Sequence, residues 1–174
     1  LLPNTSYYFR TGTLNHQGYA NYTAAYSTVT LANPPVPQAF GLTPDSISLT
    51  WLANSNPPDT RYLVEMDNDS DFSSQLTSST TLISSATFSS LAPNTTYYSR
   101  VTAINRLDRN TPVVNFAPMA TGAYDPLADT AYGIGVTGLT TKWAPGGNTL
   151  MTTSYRTQIS SNSDFSGTVL SSVT

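Results

Sequence analysis

The sequence predicts an all-β protein made of stacked β-sandwich modules, one complete and two partial. The first observation is a repeat: L-L-P-N-T-S-Y-Y-F-R at residues 1–10 returns as L-A-P-N-T-T-Y-Y-S-R at 91–100. S-D-F-S at 70–73 reappears at 163–166 and Trp51 is matched by Trp143, so the spacing is 90 to 93 residues. A fixed period of that size marks one folding unit. The second observation is that short alternating runs are separated by Pro, Gly, Asn and Asp clusters, with no segment that reads as a helix. The third is that about seven such runs fall within one period, the number that two packed antiparallel sheets need.

In chain order, residues 1–31 supply the last two strands of one module, 32–122 a complete module, and 123–174 the first strands of another. The linkers N-P-P-V-P at 33–37 and G-A-Y-D-P at 122–126 are short. Proline stiffens them, which favours a semi-rigid rod over loosely tethered beads. In the complete module a strand is expected near 38–42. S-I-S-L-T-W at 46–51 alternates strictly, placing Ile47, Leu49 and Trp51 on one face. N-S-N-P-P-D-T at 54–60 then breaks the strand. Residues 62–66 alternate again, a weak strand lies around Leu76, Phe88 sits in a short run, 97–105 gives a long one, and 113–121 closes the module. In the third module G-I-G-V-T-G-L at 133–139 is rich in glycine and Lys142 precedes the tryptophan, so an irregular second strand is expected.

The order Trp51, Tyr62, L-x-P-x-T-x-Y at 91–97 and R-V-x-A-x-N at 100–105 resembles a fibronectin type III domain. The resemblance covers the chain as two partial copies around a complete one. Runs such as Y-L-V-E-M-D-N-D-S-D-F at 62–72 are similar to tandem repeats of bacterial extracellular or surface proteins. The resemblance implies that Trp51 and Trp143 pack between the sheets. It also implies that Tyr7 and Tyr97 are corner tyrosines whose hydroxyls bond back to the backbone. The shared D-F-S, at Asp71 and Asp164, reads as a turn followed by a buried ring, which adds Phe72 and Phe165 to the expected core.

Thr174 aligns near Thr81 and Leu1 with Leu91, so the two partial modules together lack about nine residues of a whole one, room for a single strand. A half sandwich exposes an apolar face and unpaired strand edges. Two readings stay open. The chain is a window on a longer tandem array, or the carboxyl-terminal strands of one subunit are completed by the amino-terminal strands of the next, which builds a filament head to tail.

Composition narrows the function classes. Charged residues are 10% of the chain, against about 25% in typical domains. Ser and Thr make up 50 of 174 residues, and the net charge is -3 with a single lysine, Lys142. No basic footprint for nucleic acid or anionic lipid results. No apolar run approaches the length of a membrane span, so no membrane insertion is expected. The absence of cysteine excludes disulfides and thiolate metal sites. The hydroxyl-rich, lysine-poor surface favours an extracellular or cell-surface setting.

Candidate sites are few. No catalytic or cofactor-binding residue is expected. His16, the only histidine, falls in a loop between strands, and no nucleophile-elbow pattern is present. The alternating acids Asp67, Asp69 and Asp71 resemble the start of a calcium loop. Phe72 then stands where the turn needs glycine, and no Glu follows at the twelfth position. Four N-x-Ser/Thr sequons, at Asn4, Asn21, Asn68 and Asn94, offer glycan acceptors; Asn4 and Asn94 also suit the P-N-T turn. Tyr8 and Tyr98 point outward by alternation, and Tyr19, Tyr22 and Tyr26 line one short stretch. Such tyrosines serve cross-strand packing or contact between subunits. The function expected is a structural subunit or segment of an extracellular fibre, associating with copies of itself or with neighbouring repeats. The alternative is a non-catalytic spacer or carbohydrate-binding module of a secreted enzyme or adhesin.

Overall fold

The computed structural model describes residues 1–149 and 151–174. Every regular element among them is a β-strand. The chain forms two compact units. Unit 1 comprises Leu1–Gly41, Ile47–Phe88 and Thr96–Met119; unit 2 comprises Leu42–Ser46, Ser89–Thr95 and Ala120–Thr174.

Unit 1 begins with a long hairpin. Strands β1 (Ser6–Phe9), β2 (Gly12–Leu14), β3 (Ala20–Tyr22) and β4 (Tyr26–Val29) pair antiparallel as β1 with β4 and β2 with β3. These are two strands, each interrupted once, with Thr23 N–H bonding to Thr11 O across the interruption. His16 lies exposed in the turn that joins them.

Next come β5 (Val36–Leu42), β6 (Ser46–Leu52), β7 (Arg61–Asp67), β8 (Thr77–Thr81), β9 (Ser85–Ser89), β10 (Thr96–Ile104), β11 (Val114–Asn115) and β12 (Met119–Ala120). One sheet has the order β5-β6-β9, the other β11-β10-β7-β8 with β12 also on β10. Alternation puts Ile47, Leu49 and Trp51 of β6 inside, against Tyr62, Val64 and Met66 of β7 and Tyr97, Val101 and Ala103 of β10. Trp51 is 3% exposed, and its ring meets Tyr62 edge-on with centroids 5.5 Å apart. Each large side chain buried this way contributes about 1.5–3 kcal/mol relative to exposure. The resulting core fixes which face of β10 is outward. There Arg100 stands opposite Glu65 in register, with Nε to Oε2 at 2.8 Å, and its guanidinium lies 4.0 Å above the Phe72 ring.

Unit 2 carries β13 (Leu127–Ala128) paired with β14 (Trp143–Ala144), and β15 (Arg156–Ser160) paired with β16 (Val169–Val173). Between β13 and β14 the glycine-rich stretch forms no named strand among the described residues; an isolated bridge, Tyr132 with Thr140, flanks a turn in which Gly135 N–H donates to Gly138 O. Glycine gives such a stretch no side chains to pack.

Several side chains expected in the core sit elsewhere. Phe165 is 51% exposed, and among the described residues the contact of Arg100 with Phe72 has no counterpart there. Phe72 itself is half-buried, a platform for a cation and not a core ring. Trp143 is also half-buried, tilted against Tyr155 at 5.8 Å, beside an open groove of about 340 Å³ lined by Leu139, Ile159 and Leu170. Tyr7 is half-buried as well, and its hydroxyl accepts the Leu2 N–H at 2.7 Å. Tyr97 is 7% exposed.

Candidate module joint and surface sites

The P-N-T turn has the same geometry both times it occurs. Asn4 and Asn94 hold left-handed backbones, φ 44° and 48°, a region that asparagine tolerates better than most residues. Their N–H groups donate to Leu31 O and Gly122 O, each at 3.0 Å. Thr5 Oγ1 donates to Pro3 O, and Thr95 Oγ1 to Pro93 O. Thr30 Oγ1 donates to Leu2 O and accepts Thr5 N–H, and Thr121 Oγ1 does the same with Ala92 O and Thr95 N–H. Backbone and threonine bonds thus close each turn in the same way.

The asparagine side chains face away from their own turns. Asn4 is 0% exposed. Its Nδ2 donates to Thr60 Oγ1 at 2.8 Å, and its Oδ1 accepts the Arg106 N–H at 2.8 Å. Close by, Asn105 Nδ2 donates to Thr30 O at 3.1 Å. In unit 2, Asn94 Nδ2 donates to Thr152 O at 2.9 Å and Thr153 Oγ1 at 3.1 Å. The receiving loops are braced alike. Asn56 Oδ1 accepts Asn33 N–H and its Nδ2 donates to Asn33 O, while Asn148 makes the same reciprocal pair with Tyr124. A buried carboxamide with donor and acceptor both used is costly to remove, since each deserted partner keeps its desolvation penalty.

The alternating acids do not converge. Asp67, 1% exposed, accepts the backbone N–H groups of Asp69, Ser74 and Gln75, so its carboxylate folds the following loop around itself. Burial alone would push its pKa up; the amides of Gln75, Asp69, Ser74 and Asn68 outweigh that and hold it below the usual carboxylate value. Asp71 accepts the Ser73 N–H and hydroxyl instead. Asp164 is likewise held low, by the Ser166 hydroxyl and N–H. Among the described residues no three His, Cys, Asp or Glu side chains gather as a metal would need.

Of the other candidates, Asn21 and Asn68 are exposed, with Asn21 in β3 and Asn68 just after β7. Tyr8 is 78% exposed, and Tyr19, Tyr22 and Tyr26 are also exposed, with the Arg10 guanidinium 4.1 Å over the Tyr22 ring. Tyr98 is half-buried. Sequence reasoning did not single out Thr60, Arg106, Asn56 or Asn148, which make these bonds. A signal existed: both braces stand five residues after a tryptophan, at Trp51 and Trp143.

Residues 33–115 match the sequence model of the fibronectin type III domain. Such domains are generally non-catalytic, commonly structural or spacer modules, and often extracellular. Among the described residues no helix is long and apolar enough to cross a membrane. Among solved structures, the chain is 28% identical to a computationally redesigned β-sandwich protein, over 55% of this chain and 95% of that one, with a TM-score of 0.46. It is 22% identical to the fibronectin type III domain of the human collagen alpha-1(XX) chain, over 54% and 89%, with a TM-score of 0.46. It is 18% identical to domains of the extracellular region of rat CD45, over 70% and 66%, with a TM-score of 0.45. No curated protein matches the chain.

Proposed function

We propose that the chain is a non-catalytic, structural segment of an extracellular fibre in which fibronectin type III-like sandwiches follow one another. The observation that carries this reading is the recurrence of one hydrogen-bonded turn, at Asn4 and again at Asn94, each tied to the loop after a second strand. A chain that repeats its connecting chemistry with its period is organised as an array. The neutral, hydroxyl-rich composition supports an extracellular setting, and the likeness of the 62–72 run to bacterial repeats supports a bacterial source. Assembly of subunits by strand complementation is the finer form of the reading. Support for it comes from apolar side chains uncovered within their own units, Phe9 and Leu14 in unit 1, Leu127 and Leu170 in unit 2.

Sedimentation of the purified chain over a wide concentration range, with electron microscopy of the same material, tests the assembly. Polymers that grow with concentration and appear as filaments are expected. A chain that stays monomeric at every concentration removes strand complementation and leaves the covalent array.

A further inference from the structure

We propose that the P-N-T asparagine is a docking residue between consecutive modules. The surface it reads is the loop after the second strand of a sandwich, and the partner that surface fits is a P-N-T turn on the hairpin of the neighbouring module. The turn itself does not need the carboxamide. Left-handed φ and the bonds to Leu31 O and Thr30 Oγ1 close it around residues 3–5 without help. Instead the side chain spends its donor 56 positions away, on Thr60, and its acceptor 102 positions away, on Arg106. A short amide offers a donor and an acceptor together, with neither end charged.

The second occurrence makes this a rule of the chain. Asn94 has the same backbone, and its Nδ2 finds Thr152 and Thr153. Thr60 and Thr152 each stand nine residues after their tryptophan. Both receiving loops are pre-shaped by an asparagine that clamps the incoming linker, Asn56 on Asn33 and Asn148 on Tyr124. Thr60 is fully buried in the joint, so the contact excludes water. These bonds lie within unit 1 or within unit 2, and the inference holds equally for a covalent array and for assembled subunits.

Native-state hydrogen exchange on the full chain tests it, with the Arg106 amide as reporter because it donates to Asn4 Oδ1. Asn4→Gly keeps the left-handed turn and deletes the carboxamide. The expected result is exchange at Arg106 faster by at least about tenfold, the loss of one hydrogen bond to a buried group, while Val101 in β10 keeps its protection. Thr60→Val removes the distant acceptor without touching the turn, and it should also speed exchange at Arg106. Unchanged protection at Arg106 in both variants overturns the proposal. If Asn4→Gly loosens Arg106 and Val101 alike, Thr60→Val decides: selective loss at Arg106 supports docking, and none refutes it.

Discussion

Asp67 shows how one carboxylate organises a loop through backbone amides. Three backbone N–H groups, from Asp69, Ser74 and Gln75, converge on its two oxygens. Hydrogen bonds to the ionised form favour it, which is why the pKa falls although burial opposes this. The folded pKa lies below the ordinary value of 3.8, so protonation costs more in the folded chain than in the unfolded one. The stabilisation is therefore complete above the ordinary value and is lost as pH falls through the folded one. Asp67→Asn is expected to lower Tm at neutral pH. The gap between variant and parent should stay constant down to about pH 5 and close steadily as acid takes the parent's carboxylate below 3.8. A pH-independent gap across that range would show that the carboxylate's charge is not what holds the loop. The alternation D-x-D-x-D is what a calcium loop also shows; Phe72 in the glycine position and the burial of the first acid set this loop apart. That burial follows from β7 continuing to Asp67, one residue beyond the run its alternation marks at 62–66.

Turns after the second strand link sequence to packing at the scale of elements. Asn54 and Ser55 after β6, and Gly146 and Gly147 after β14, all hold positive φ, and each pair leads into the bracing asparagine. The two turns reach positive φ by different residues. At Gly146 the geometry leaves no alternative, because a Cβ there would overlap the Asp125 carbonyl oxygen. Gly146→Ala adds that clash to left-handed strain and is expected to destabilise unit 2 by about 1–3 kcal/mol. Faster exchange at the Asn148 amide, which bonds to Pro145 O, is the readout; unaltered exchange would contradict the account. The strands themselves were readable. Strict alternation at 46–51 marked the face that buries Ile47, Leu49 and Trp51, and the runs at 62–66 and 97–105 became β7 and β10. Phe165 was misjudged because burial is decided by what arrives from other strands. Its local D-F-S turn matches that of Phe72, down to φ 56° against 59°, and carries no information about a covering arginine. The closing strand at 113–121 is two short pieces, since Ala117 and Pro118 interrupt its pairing and proline has no N–H to give.

Across the whole molecule the four sequons separate by accessibility, a distinction the N-x-Ser/Thr pattern cannot express. Asn21 and Asn68 leave their side chains in solvent. Asn4 and Asn94 commit Nδ2, the atom that would carry a glycan, to Thr60 and to Thr152 with Thr153. A sugar on Asn4 would require opening a fully buried site and leaving Thr60 Oγ1 and the Arg106 N–H without their partner. Where the chain is secreted from a host that adds N-linked glycans, glycopeptide mapping of the folded product is expected to find occupancy at Asn21 and Asn68. Asn4 should be unmodified and Asn94 strongly depleted. The order follows from burial, since Asn4 is completely enclosed and Asn94 only partly. Full occupancy of Asn4 in a chain that keeps its Arg106 amide protected would mean that the carboxamide does not hold the joint, because one nitrogen cannot carry a sugar and fill that enclosed position at once.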